Sequence, residues 1–224
     1  MRTAFMSDVH GNLPALDACL AHAERRGCEH LLVLGDVVGY WDDGIACLDR
    51  LRSVGASFLR GNHEAMLLGD LDVPAGAESV YRLSETREQL SAEQRRFLAG
   101  LEPRRELELG GRRWLLVHGT PDDPLEGYAY PDGDLAAFEN LTFDYVVMGN
   151  THRAMLRKAG QVTVVNVGSV GLSRDIGSRS TFGVYDASTD QLSIEEVPMN
   201  VDLVRRNYPE AHPSVRAVLD RGPT

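Results

Sequence analysis

The sequence predicts an α/β fold, on three observations. Residues 1–62 alternate short apolar runs with helical patterns, the rhythm of βαβ units and a parallel sheet. From Thr142 onward the chain is rich in β-type runs separated by turn signals, which suggests antiparallel hairpins and a second sheet packed on the first. Five apolar runs each end in a ligand-capable side chain beside a glycine, and open α/β sheets bind ligands at the carboxyl ends of their strands.

The elements follow in order. Thr3 to Met6 lies in a first strand near 2–7 that runs into Ser7-Asp8-Val9-His10-Gly11-Asn12. On extended backbone Asp8 and His10 face the same side, so both can address one ion. A helix is expected over 13–26, with Asn12 as N-cap, Pro14 in the first turn and Arg25-Arg26-Gly27 closing it. A strand at 30–35, a helix near 45–53 and a strand at 56–60 complete the alternation. Residues 64–102 read as helical, with Ser91 to Gln94 close to a capping box and Pro103 as the stop. Leu107, Leu109 and Trp114 to Val117 form a hairpin about Gly110-Gly111, with Trp114 in the core. A loop over 119–134, rich in Pro, Asp, Gly and Tyr, borders the substrate opening or simply lies on the surface. Strands are expected near 144–148, 154–157, 162–166, 181–186 and 191–196, with turns at Gly160-Gln161 and Thr189-Asp190. Short helices broken at Pro209 and Pro213 follow Met199.

With 224 residues, the chain is expected to form a single domain over 1–224. Hydrophobic residues make up 43% and charged residues 25%, as in soluble globular proteins. No apolar stretch approaches the ~20 residues of a membrane span. The opening residues enter a strand rather than a leader, so a cytoplasmic protein is expected. Cys19, Cys28 and Cys47 are odd in number and widely spaced, which fits reduced thiols. A net charge of −10 argues against tight, sequence-independent nucleic-acid binding. A small phosphorylated substrate remains compatible, because local charge at a metal site can oppose the global sign.

The strand ends carry Asp8-x-His10, Gly35-Asp36, Gly61-Asn62-His63-Glu64, His118-Gly119 and Gly149-Asn150-Thr151-His152. Carboxylate, imidazole and amide oxygen are ligands for hard or borderline divalent ions. As an ordered set these motifs resemble the calcineurin-like metallophosphoesterases, and most of all their small, single-domain bacterial phosphodiesterases. The resemblance runs from residue 5 to about residue 186 and includes Gly35 to Tyr40, His118 to Pro121 and Asn166 to Gly171. It implies a four-layer α/β/β/α sandwich of two mixed sheets and a binuclear metal site. Asp36 would bridge the two ions, Asp8, His10 and His152 would complete the first site, and Asn62 and His118 would serve the second. The expected cofactors are two divalent ions, Mn2+ first, with Fe, Zn, Ni or Co as alternatives. In such sites the ions sit roughly 3.5–4 Å apart and clamp an in-line displacement. At formal charges, two dications, two carboxylates and a hydroxide leave the centre about one unit positive.

The implied reaction is hydrolysis of a phosphodiester or phosphomonoester by a metal-bridging hydroxide. His63 resembles the family's general acid, and such proton transfer is typically worth about 10²–10⁴-fold. Glu64 is a candidate, by adjacency, for orienting or charging His63. Arg174, after the glycine-rich Gly168 to Gly171 loop, is a candidate for a phosphate oxygen, with a surface salt bridge as the equal alternative. Tyr40-Trp41 and Tyr128/Tyr130 are candidates for stacking on a nucleobase, with packing roles as the alternative. The expected partner is a small phosphate ester, a nucleotide among the candidates. His22, His30 and His212 lie outside every motif and read as surface residues. One position departs from the family pattern: Asn150 stands where Gly-His-x-His places its first histidine. Asn offers a carbonyl oxygen, which fits a harder ion such as Mn2+, a weakly held ion, or a vacant second site. The alternative function is therefore a protein-interaction scaffold with a degraded second metal site. A phosphoprotein phosphatase fits less well, since no Asp-Arg-Gly follows Gly35 to Tyr40.

Overall fold

The computed structural model describes residues 1–222. The first half of the chain builds most of one sheet. β1 (Arg2–Met6), α1 (Leu13–Arg25), β2 (His30–Val33), α2 (Gly44–Ser53) and the two-residue β3 (Ser57–Phe58) form parallel βαβ units. Asn12 caps α1 as its residue type predicts: its side chain accepts from Ala15 N (3.2 Å), while its amide donates to Gly171 O (2.9 Å).

Residues 62–99 are helical in four pieces rather than one stretch: α3 (Asn62–Leu68), α4 (Glu78–Tyr81), α5 (Leu83–Gln89) and α6 (Ala92–Ala99). Gly69 and Arg82 break the run in left-handed backbone, at φ of 87° and 57°. Ser91 and Gln94 form a full capping box at the start of α6, with Ser91 N donating to Gln94 Oε1 (3.0 Å) and Gln94 N to Ser91 Oγ (3.2 Å).

The expected hairpin follows as β4 (Arg104–Leu109) and β5 (Arg112–Val117), joined by Gly110 and Gly111 at positive φ. Then come β6 (Tyr145–Met148), β7 (Ala154–Ala159), β8 (Val162–Val167), β9 (Arg179–Asp186), β10 (Gln191–Pro198), α7 (Val201–Asn207) and α8 (Pro213–Val218).

Both sheets are mixed and five-stranded, with orders β10-β9-β1-β2-β3 and β4-β5-β6-β8-β7. The β-rich second half therefore does not form the second sheet by itself. Its β9–β10 hairpin returns to the first sheet, where β9 runs antiparallel to β1.

Strand side chains alternate faces with period two, and the cores follow that alternation. Phe5, Trp114, Leu116, Tyr145, Val147, Val165 and Val167 fill the space between the sheets. Ala4 and Met6 face the helices, packing with Leu16, Leu48 and Val204. Leu115, Val117, Val146, Met148, Val162 and Val164 face the opposite way, under the 119–143 segment, whose regular element is one 3₁₀ turn (Ala136–Phe138). Strands covered on both faces are apolar throughout, which is why they read as continuous runs.

Among the described residues no helix is long and apolar enough to cross a membrane. Cys19 and Cys47 are buried free thiols and Cys28 is half-buried. His22 is half-buried, its Nε2 3.0 Å from Glu195, and His212 caps α8.

Candidate metal centre

The ends of β1, β2, β3, β5 and β6 converge on one buried spot. Asp8, His10, Asp36, Asn62, His63, His118, Asn150 and His152 are all buried there. The alternation argument for Asp8 and His10 does not describe the local backbone. β1 ends at Met6, and both residues sit in left-handed conformation (φ of 54° and 51°). Asp36, Asn150 and His152 do the same at 55°, 64° and 57°. Left-handed backbone disfavours residues with a Cβ, so five of the candidate ligands are held in strained positions.

The histidines turn their Nε2 atoms inward. His10 Nδ1 contacts Val38 O (3.0 Å), His118 Nδ1 contacts Leu34 O (2.9 Å) and His152 Nδ1 contacts Leu172 O (2.7 Å). A carbonyl only accepts, so hydrogen bonding puts a proton on Nδ1 in each ring and leaves Nε2 as the atom that can bind an ion once it carries no proton. His10 Nε2 and His152 Nε2 then face each other at 3.1 Å, two acceptors with no proton to share. Asp8 Oδ1 lies 3.2 Å from His152 Nε2 and 3.6 Å from His10 Nε2, buried and without a hydrogen-bond donor. Asp36 Oδ2 lies between the two groups, 3.7 Å from His10 Nε2 and 3.3 Å from His118 Nε2. Asn62 Oδ1 is 3.1 Å from His118 Nε2. Buried acceptors that converge without donors are costly unless a cation joins them. The donor set fits divalent ions.

Asn150 is placed by its own N–H, 3.1 Å from Asp8 Oδ2, and by its amide nitrogen, which donates to Gly127 O (2.9 Å). Its carbonyl oxygen is the atom that could serve as a ligand. This bond also ties the 119–134 loop to the rim of the site.

Glu64 departs from the role suggested by adjacency to His63. Its carboxylate accepts from Gly61 N (2.9 Å), Asp36 N (2.8 Å) and Val37 N (2.8 Å). It caps α3 and locks the β2 turn that presents Asp36. A Cβ on Gly61 would overlap Asp36 Oδ1, so only glycine lets these two segments close. Asp36 Oδ1 in turn accepts from His63 N (2.9 Å). This buried glutamate was the functional residue that spacing did not assign, and its Glu at the third helical position was the available signal.

His63 Nε2 is 3.9 Å from Asp36 Oδ2. Its Nδ1 has no hydrogen-bond partner and sits where a Cβ on Gly39 would overlap it. The ring packs on Tyr40 (centroids 5.0 Å apart) and Tyr81 (4.5 Å).

Charges in this spot are strongly coupled. Burial alone pushes the His118 imidazolium down, but the Asp36 carboxylate outweighs it and raises the pKa to about 10. Burial lowers His63 to about 3, against the opposing pull of Asp36. Burial favours the neutral acid at Asp8 and Asp36, yet His152 beside the first and His118 beside the second hold both below the usual carboxylate range.

Without metal, His118 is therefore protonated at neutral pH. A ligand must be deprotonated, so loading at pH 7 is expected to release about one proton from His118. Apparent affinity should rise by about tenfold per pH unit toward pH 10. Calorimetry in buffers of different ionisation enthalpy measures this, and a heat independent of buffer refutes it. The stability sign is opposite. A raised pKa means that the His118 contribution to the metal-free fold is full below about 6.5 and is lost as pH rises through about 10.

Trp41 is 1% exposed and its Nε1 donates to Gly171 O (3.0 Å), so it is a packing residue. Tyr40 is 7% exposed. Tyr128 and Tyr130 are 53% and 43% exposed. Arg174 is half-buried; its neighbour Asp175 faces Arg153 (4.0 Å), and among the described residues no carboxylate pairs with Arg174.

Residues 1–190 match the family model for the calcineurin-like phosphoesterase superfamily domain. An uncharacterized protein of Methanocaldococcus jannaschii is 26% identical over 92% of this chain and 93% of its own length. The Escherichia coli phosphodiesterase YfcE is 24% identical over 89% of this chain and 99% of its own. A metallophosphoesterase structure from Sphaerobacter thermophilus superposes with a TM-score of 0.83 at 24% identity, covering 98% of both chains.

Proposed function

The chain belongs to the calcineurin-like phosphoesterase superfamily, and from that premise we propose that it hydrolyses a phosphodiester or phosphomonoester with divalent metal, as one domain. The observation that carries the reading is the set of buried acceptors converging without donors: His10 and His152 Nε2 at 3.1 Å, and Asp8 Oδ1 with no donor. Asp8, His10 and His152 would hold one ion, Asn62, His118 and Asn150 the other, and Asp36 would reach both. Bound divalent ions polarise phosphoryl oxygens and lower the pKa of water toward neutrality. Mn2+ suits the amide oxygens of Asn62 and Asn150.

The protein groups supply orientation and the proton. Arg174, which has no carboxylate partner among the described residues, would neutralise a phosphate oxygen. His63 is the proposed acid for the leaving alcohol. Burial keeps it neutral in the empty site. Its protonation therefore requires an added negative charge, and the phosphate ester brings one. His63→Ala should keep metal binding but slow an alkyl ester about 10²–10⁴-fold while leaving a p-nitrophenyl ester much less affected. Equal slowing of both esters would remove His63 from the acid role.

The deciding experiment is hydrolysis of bis-p-nitrophenyl phosphate by metal-stripped protein titrated with Mn2+, beside Asn150→His. Activity that saturates with Mn2+ supports the phosphoesterase with Asn150 as a working ligand. Activity in Asn150→His alone means that the second site has decayed and favours the scaffold.

A further inference from the structure

The aromatic side chains near the centre differ in accessibility, and Tyr81 is half-buried. Trp41 and Tyr40 are closed off, whereas Tyr128 and Tyr130 are the open pair. Their rings stack on each other, centroids 5.8 Å apart and 7° from parallel. Tyr128 directly follows Gly127, whose carbonyl accepts from the Asn150 amide (2.9 Å). The pair is thus fastened to the rim by a residue of the centre itself. Burial raises the pKa of the Tyr128 hydroxyl, and the Arg174 guanidinium works against that rise. Arg174 N donates to His152 O (3.0 Å), which sets Arg174 beside a candidate ligand. An exposed aromatic pair that follows the residue tied to Asn150, and an arginine tied to His152 with no carboxylate partner among the described residues, thus flank the candidate ligands.

Resting on the phosphoesterase reading, we infer that Tyr128, backed by Tyr130, is a stacking platform that selects phosphodiesters carrying a nucleobase or similar planar heteroaromatic ring. Parallel stacking of Tyr130 behind Tyr128 fixes the platform at low entropic cost, since each ring has few rotatable bonds. An exposed aromatic face takes any base without reading its edge. The ester would bridge Arg174 at phosphate and Tyr128 at the ring. Tyr128 is thus a specificity-determining residue, remote from the bond that breaks.

The test uses the Mn2+-loaded full chain and three diesters with one shared leaving group, p-nitrophenolate. They are the thymidine 5′-, cyclohexyl and methyl p-nitrophenyl phosphates. For the wild-type protein, kcat/KM for the thymidine ester should exceed that for the methyl ester by about 5- to 150-fold, the range of one base–aromatic stack. Tyr128→Ala should collapse that ratio, chiefly through KM, and Tyr128→Phe should retain it. The cyclohexyl ester, apolar but not planar, should behave like the methyl ester. A wild-type ratio near one, a ratio unchanged in Tyr128→Ala, or a cyclohexyl ester favoured as strongly as the thymidine ester overturns the platform while leaving the phosphoesterase reading intact. Failure to hydrolyse any of the three removes that reading and the platform with it.

Discussion

Asp36→Ala is expected to abolish stoichiometric binding of two Mn2+ and to lower turnover of a diester by at least about 10³-fold. Loss of a single electrostatic donor typically costs about 10²–10³-fold, and Asp36 does more than one donor. Its Oδ2 faces both His10 and His118, and its Oδ1 holds the backbone N–H of His63. Removing it empties the position between the two ligand groups and frees the start of α3 that carries Asn62 and His63. It also strips His118 of the carboxylate that raises its pKa, so that proton release on metal addition should fall as well. Metal content of the purified variant, measured beside turnover, checks the claim. A variant that keeps two equivalents of Mn2+ would show that Asp36 does not serve both ions.

Glu64→Ala is expected to be the most destabilising substitution in the centre, although Glu64 is not a ligand. The variant leaves the N–H groups of Gly61, Asp36 and Val37 buried without an acceptor. Each such group costs about 1–3 kcal/mol. Part of that loss is offset. Burial and the neighbouring Asp36 carboxylate raise the Glu64 pKa, so its charge is itself under strain. A net cost of about 3 kcal/mol remains, which for a chain of this size lowers Tm by roughly 6–12 °C. Metal affinity should fall with it, because the Gly35-Asp36 turn and the Gly61-Asn62 turn share this one carboxylate. Thermal melts of metal-free protein are the direct measure, and a Tm within about 2 °C of wild type would refute the assignment.

Much of the site could be read before the fold, because the chemistry lies at strand ends and strand ends are visible as apolar runs meeting glycine. Asp8, His10, Asp36, Asn62, His118 and His152 were brought together for that reason. Pairing of distant strands was not visible. The apolar pattern of Arg179–Asp186 suits either sheet, and what places β9 beside β1 is the register Phe5↔Gly183, a contact across most of the chain. The role of Glu64 was hidden for a similar cause. Adjacency to His63 suggested one partner, whereas helical geometry turned the carboxylate toward four backbone groups, three of them in the turn after β2. The helical stretch over 62–99 was divided by local backbone preference at Gly69 and Arg82, which periodicity does not report. Among the aromatics, sequence offered Tyr40-Trp41 and Tyr128/Tyr130 on equal terms, and burial separates them.

The left-handed backbone at Asp8, His10, Asp36, Asn150 and His152 sets a direction for how such a centre ages. Each of these positions suits glycine, and a residue with a Cβ held there gives up about 1 kcal/mol, less for aspartate and asparagine. A lineage that no longer needs the hydrolysis therefore gains fold stability by exchanging ligands for glycine. Selection for heat resistance alone pushes the same way. Loss of such a centre would then be a downhill drift in stability rather than a neutral one.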